Sequence, residues 1–597
     1  MHESDHETGS APTRLKLVGS PLVSNKGARK PESAASSELG HSHQHPDQAD
    51  STLLEELPIF QRHNESTAIE LFYDLFFVAN LATFSNIHEI QSVSTLTSYI
   101  GFFCVLWFTW CLTSMHDIRF VSDSLSSRIA KGAHLGVMVG LAVAGPKYAS
   151  EGHPAELRVL ALILMVSRIV LALQYLLVLF HVRTYKNSKL PLGLIAGFSL
   201  AAAFIYLGVS FASTETDHAY RALYVVAVAE MVVNIGVASQ WRVVSFKGTH
   251  LIERMSLLTL YILGEGVIDV LKSVTKISQA QDYWTAGNIG TLLGAILTIY
   301  LFYMLYFDTL NRHHFGSIRQ QIWSFLHFPF HAALVLCVSG MAQFVTWQKI
   351  AEVLQNFSSE MNNRVEDVID RITSNDSAEA VTDRFISEVQ LAINHTFTAY
   401  PPEDAFETNE TIKELVETLK EKVLDSISSA TPNLDDVEHA IVEITSKVFT
   451  SIMSKYGLEA PEESAEGAED FYGDLNARIH AAILFFEYFF IAAGFSLIIL
   501  GILGLVNVRK YTLGSWLRFA THFLFGTGLC LVCLLATRPD NDWASALAGT
   551  AWPLPMVALV LLIVISVHHL SRRREKSVES QKYQFLPRWR KTEAPTV

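Results

Sequence analysis

The sequence predicts an all-α polytopic membrane protein with about twelve transmembrane helices and a helical insert outside the cytosol. Three observations carry that expectation. Half of the 597 residues are apolar and only 17% are charged, where a soluble chain carries about 25% charged residues. The apolar residues gather into blocks long enough to cross a hydrocarbon core of roughly 30 Å. The charge is uneven: of a net −14, the stretch Ala351–Asp470 holds 27 acids and 8 bases, leaving 32 acids and 37 bases elsewhere. This composition excludes a soluble enzyme, a coiled coil and a secreted disulfide scaffold. With no basic stripe outside the C-terminal tail, it also gives no nucleic-acid partner.

Residues 1–62 are rich in Ser, His, Pro and charge, and are expected to form a disordered cytosolic tail. No apolar signal-peptide core lies near Met1, so the first span would act as the targeting signal. The twelve apolar blocks lie near 66–86, 97–115, 127–146, 157–181, 191–212, 220–240, 251–271, 287–307, 322–346, 479–506, 515–536 and 549–570. They define a membrane domain of nine helices over 63–346, an insert over 347–478, three more helices over 479–570 and a basic tail over 571–597. An even number of spans leaves both termini on one side. Even-numbered loops hold twelve Lys and Arg against six in the short odd-numbered loops, which places the termini in the cytosol.

Four of the five N-x-S/T sequons, at Asn356, Asn375, Asn394 and Asn409, fall in the insert. The acceptor is modified only on the lumenal side, so the clustering agrees with that orientation and with a eukaryotic source. The expected location is a secretory-pathway membrane, plasma or vacuolar. Inside the insert, Val353, Phe357, Met361 and Val365, then Ile412, Leu415, Leu419, Val423 and Ile427, recur at helical spacing. Pro401-Pro402 and Pro432 break the run, giving a cap of three to five amphipathic helices. All five cysteines lie in apolar blocks and none in the insert, so no disulfide framework holds it. Cys530 and Cys533 form a CxxC inside a span, where small packing residues are the simpler reading.

A charge at the bilayer centre costs about 2.5–3.5 kcal/mol on insertion scales, so each one there needs a partner, water or a function. In the first span, Glu70 and Asp74 share a helix face, as a proton-sharing pair or cation ligand, or else as an internal cap or a salt bridge to a packed arginine. The seventh span carries Glu253-Arg254 and then Gly264-Glu265-Gly266 with Asp269. Glu265 and Asp269 repeat the four-residue spacing, and the glycines would admit a neighbouring backbone. Arg168, Glu253 and Arg254 are the expected counter-charge positions, with Arg168 also open to a structural pairing with Glu230 or Glu487. In the ninth span, His327 and His331 flank Pro329, which frees the Phe325 carbonyl. These histidines would serve as a pH gate or relay, as hydrogen-bonded core residues or, on a weaker signature, as metal ligands. Arg518 and His522 sit four apart near the end of the eleventh span, and Asp308 with His313-His314 could meet a phosphate or headgroup. No G-x-S-x-G, H-E-x-x-H or P-loop occurs, so no catalytic residue, metal site or cofactor is expected.

The string Glu70-Leu-Phe-Tyr-Asp74-Leu-Phe-Phe-Val, with Glu253-Arg254 and Leu263-Gly264-Glu265, resembles the low-temperature-requirement A (LtrA) family of polytopic membrane proteins. Trp107-Phe-Thr-Trp110, leading to Asp117, Arg119 and Phe120, resembles that family's second helix and following loop. The likeness covers residues 60–345 and, more loosely, 478–570, and with the sequons implies a eukaryotic, fungal-type member. The family implies a multi-helix membrane protein linked by name to growth at low temperature, without an assigned activity or substrate. The acidic insert and the His-rich tail depart from its compact pattern.

The sequence also suggests a parallel 6+6 repeat, since Ile69-Glu70 opens the first span and Ile252-Glu253 the seventh. The functional expectation is a transporter or channel-like protein for a small ion, proton or proton-coupled solute. Glu70, Asp74, Glu265 and Asp269 would bind the ion or proton. The alternative is a sensor or structural protein acting through its insert. A membrane-embedded lipid-modifying enzyme is the weaker alternative. The expected partners are the bilayer, the transported ion and a second copy of the chain.

Overall fold

The computed structural model describes residues 16–22, 58, 60–61, 65–87, 90–120, 122–151, 154–212, 219–246, 249–278, 284–310, 317–370, 377–428, 434–458, 471–508, 511–535, 547 and 549–584. Fifteen α-helices fill them in the order α1 (Ala68–Ile87), α2 (Val93–Asp117), α3 (Leu125–Glu151), α4 (Pro154–His181), α5 (Lys186–Ala212), α6 (Arg221–Gln240), α7 (Leu251–Ile277) and α8 (Ala286–Thr309). There follow α9 (Ser317–Asp370), α10 (Ala378–Ala399), α11 (Ala405–Ser428), α12 (Leu434–Lys455), α13 (Phe471–Asn507), α14 (Leu513–Val532) and α15 (Pro553–Gln584). Among the described residues no strand occurs beyond one antiparallel bridge, Leu22–Phe60. A helical chain suits a bilayer because its backbone bonds are made within each segment.

Each of the twelve apolar blocks coincides with a helix, and ten helices are long and apolar enough to cross a membrane. The other two blocks are α7 and α14. Six charged residues between Glu253 and Lys276 lower the hydropathy of α7, and those same residues make it chemically informative. Large apolar side chains such as Phe204, Val225 and Leu524 point outward, as lipid-facing residues do.

The chain divides into two compact units. The first comprises Met1–His88, Ser98–Leu258 and Arg312–Phe328. Its α2 is buried on every side from Gly101 to Asp117. The Phe77 ring lies 5.9 Å from Trp110, and Trp107 lies 5.3 Å from Phe328. One segment of the N-terminal tail takes a defined place in this unit. The Lys16 and Leu17 carbonyls accept from the Leu125 and Ser126 N–H groups, satisfying donors that a helix start leaves without an internal partner.

The second unit comprises Glu89–Thr97, Thr259–Asn311 and Pro329–Val597. Close helix crossings here depend on glycine. A Cβ at Gly526 would lie 2.7 Å from the Gly494 carbonyl, and one at Gly494 would meet the Gly526 carbonyl in turn. Small residues let backbones touch where lipid offers no hydrophobic drive to associate.

The helix carrying the ninth span does not stop where its apolar block ends. At 54 residues, α9 is about 80 Å long at 1.5 Å per residue, and its C-terminal half becomes the first helix of the insert. Val353, Phe357 and Met361 are buried there, together with Val389 and Ile393 of α10, Ile412 and Leu419 of α11 and Ile444 and Val448 of α12. The stripe on α11 differs from the sequence spacing: Val416 is buried and Ile427 exposed, because α11 turns a slightly rotated face to its neighbours. The side chains of Asn356, Asn394 and Asn409 point outward on these helices. Asn375 lies outside the described residues, as do His313 and His314.

Candidate functional site

The first unit gathers its buried charges around α1. Thr67 precedes the helix, and its N–H donates to Glu70 Oε2 at 2.8 Å, so Thr67-Ala-Ile-Glu70 forms half of a capping box. The same oxygen lies 3.2 Å from His250 Nε2, and Arg254 Nη1 lies 3.7 Å from Glu70 Oε1. One turn on, Asp74 is fully buried. Its Oδ1 accepts from Arg254 Nη2 at 2.5 Å and from Trp110 Nε1 at 2.7 Å. Arg254 also donates to Ser114 Oγ at 3.0 Å. Glu253 accepts from the Ser66 N–H at 3.4 Å, which puts a second acid at the start of α1.

Two carboxylates, Glu70 and Asp74, share one guanidinium, and the other ionisable partner among the described residues is an imidazole that is charged only when protonated. A structural Arg–carboxylate pair is commonly bidentate, yet Arg254 divides its guanidinium between two acids. Asp74 Oδ2 is buried without a hydrogen-bond partner among the described groups.

Further buried polar groups lie in the same unit. Asp117 pairs with Lys131 and lies 3.4 Å from His116 Nδ1. His134 bonds Gln174 at 2.7 Å, and Arg119 donates to the Tyr175 hydroxyl at 3.2 Å with its guanidinium 4.1 Å from the Phe246 ring. Arg168 donates to Glu230 Oε2 at 2.5 Å and to Thr109 at 3.4 Å. Of the partners that sequence left open to Arg168, Glu230 is the one it meets.

The second unit holds Glu265, Asp269 and Lys272 on α7. Glu265 is buried and Asp269 half-buried. Lys272 Nζ lies 3.0 Å from Asp269 Oδ1 and 3.9 Å from Glu265 Oε1. Again two acids four residues apart share one base. A Cβ at Gly266 would lie 2.6 Å from Val338 Cβ, so this glycine allows α9 to pass close to α7, while Gly264 faces open space. His331 bonds the Thr259 hydroxyl at 2.8 Å. His327, which belongs to the first unit, bonds the Trp323 carbonyl at 2.8 Å and holds its ring tilted against the indole, 4.0 Å between centroids. Both histidines are fully buried. Pro329 leaves the helix of α9 unbroken.

Sequence reasoning had not assigned the Asp117–Lys131 pair, His134, His250 or the Trp110–Asp74 bond. The signals were present but faint. Lys131 and His134 share a face of an otherwise apolar, glycine-rich helix, and His250 stands one turn before Arg254.

Residues 65–359 match the family model described as Bacterial low temperature requirement A protein (LtrA). Through this region the chain belongs to the LtrA family. No curated protein and no solved structure matches it. The LtrA region runs from two residues before the Thr67 cap to the part of α9 beyond its apolar block, and includes the carboxylates, arginines and histidines of the clusters just described. The insert beyond residue 359, the more loosely resembling 478–570 stretch and the three last spans lie outside it. The molecule is therefore an integral membrane protein of the LtrA family, with its unusual charges concentrated in the LtrA region.

Proposed function

We propose that this LtrA-family protein moves a proton or small cation, or a solute coupled to one, across the membrane, with Glu70 and Asp74 as its binding acids. The observation that carries this reading is the charge count at Arg254. Two buried acids share one guanidinium, and one oxygen of the deeper acid has no protein partner among the described groups. Burying an uncompensated charge is costly, so the cluster balances by taking up a proton, on His250 or a carboxyl, or by binding a cation. Glu265 and Asp269 with Lys272 have the same two-to-one stoichiometry and provide a second station. Arg254 and Lys272 act as counter-charges that release an acid when the ion or proton arrives. His327 and His331 adjust the pH response. Arg168, already engaged by Glu230, positions helices.

The reading keeps both termini in the cytosol and the insert, glycosylated at its outward asparagines, on the other face. The membrane is that of the secretory pathway. A second reading, in which the insert senses or binds a partner, is favoured by one observation: α10, α11 and α12 bury their own apolar stripes against the extension of α9.

Infrared difference spectroscopy on the reconstituted protein tests the uptake step. Changing pH or cation should alter carboxyl bands that Asp74→Asn and Glu70→Gln remove. Bands unaffected by both substitutions would take these acids out of the mechanism.

A further inference from the structure

One group of side chains in the second unit, with Asp308 inside the LtrA region and two histidines beyond it, has ligand chemistry that the proposed transport does not use. Asp308 ends α8, and His568 and His569 lie on α15. One donor atom from each falls within 4.8 Å of the others. His569 Nε2 is 3.3 Å from Asp308 Oδ2, about the edge of a tetrahedron with metal bonds of ~2.0 Å. A simple ion pair would explain that contact alone. It does not explain His568, which is 3% exposed and whose Nδ1 is buried with no hydrogen-bond partner among the described groups.

A fourth donor stands beside the cluster. His522 of α14 is 2% exposed, and its ring centroid lies 6.4 Å from that of His568. Its Nδ1 is 2.8 Å from the Arg518 carbonyl. A carbonyl only accepts, so Nδ1 carries the proton and Nε2 presents its lone pair. That nitrogen too is buried and without a partner among the described groups. Fixing one ring nitrogen on a backbone carbonyl is how proteins orient a metal-binding histidine. His522 and His568 line one pocket with Thr309, next in sequence to Asp308.

We propose that Asp308, His568 and His569 form a site for a divalent transition metal, zinc above all, with His522 or water as fourth ligand. Imidazole and carboxylate donors suit that ion class. Arg518 and Arg572 line the same pocket and oppose a dication. The Asp308 carboxylate and Glu575, 2.9 Å from Arg518, offset them. The ion would tie the end of α8 to α15.

The test uses the full chain in detergent, stripped with chelator, with His2, His6, His41, His43 and His45 replaced by Gln to silence the N-terminal tail. Zinc is titrated and counted by elemental analysis, and cobalt reports geometry through its ligand-field bands. The background protein should bind one equivalent that His569→Gln loses, together with the tetrahedral cobalt spectrum. His569 is half exposed, so this change leaves folding intact, and Asp308→Glu should retain the ion. No tight equivalent in the background protein would overturn the proposal. So would an equivalent that survives His569→Gln, Asp308→Asn and His568→Gln alike. Phosphate binding that needs Arg518 and Arg572, without metal binding, would make this an anion pocket and also overturn it.

Discussion

Arg254 joins more of the buried chemistry than any other side chain described here, meeting Asp74, Glu70 and Ser114 and lying 5.7 Å from the Trp110 ring. Removing one member of a buried ion pair leaves the other uncompensated, at a cost of about 3–5 kcal/mol. Arg254→Ala should therefore destabilise the protein by about that amount, read as a lowered unfolding midpoint in detergent. The double change to Arg254→Ala with Asp74→Asn should recover part of the loss, because it removes the stranded acid. Arg254→Lys should not rescue, since a single ammonium cannot span three acceptors. The residues at this centre were legible in the sequence because a charge in an apolar block stands out. Glu70, Asp74 and Arg254 could be found from composition and four-residue spacing. Their pairing could not, since Arg254 lies 180 residues from Asp74 and only packing brings the two helices together. The same limit hid the bond from Trp110 to the acid, since nothing in the Trp107–Trp110 run shows which side chain it reaches.

Among the elements, α13 and α14 make the sharpest packing claim. Each of Gly494 and Gly526 faces the other's carbonyl, so any side chain at Gly526 forces the helices apart. Overpacking costs about 1–3 kcal/mol, and Gly526→Leu should lower the melting temperature while Gly528→Ala, which faces open space, should not. In the insert, Leu419 is fully buried. Leu419→Ala should cost about 2–5 kcal/mol, visible as protease sensitivity at α11. Between α10 and α11, the Asp383 carboxylate bonded to Lys420 holds that ammonium above its ordinary 10.5. A raised lysine stabilises the fold below its unfolded value and loses that contribution as pH rises through the folded one. The tie should thus persist at neutral pH and loosen only in alkali above about 10.5, and Asp383→Asn should abolish that alkaline change in helix protection. Periodicity gave these helices their existence. It did not give the continuity of α9, because nothing local tells a helix to end where its hydrophobicity does.

For the whole molecule, the twelve-block pattern was legible because the bilayer demands long apolar helices and the chain supplies them. The site was half legible. Sequence reveals which charges are unusual, while the folded chain brings Glu70 and Asp74 to Arg254 in one unit and Glu265 and Asp269 to Lys272 in the other. That shared stoichiometry ties the architecture to a transport reading, and flux tests it most directly. Purified protein in liposomes should carry protons or monovalent cations, and Asp74→Asn and Glu265→Gln should each remove that flux while leaving the fold intact. Equal flux in all three proteins, or none above empty liposomes from folded wild type, would contradict the account.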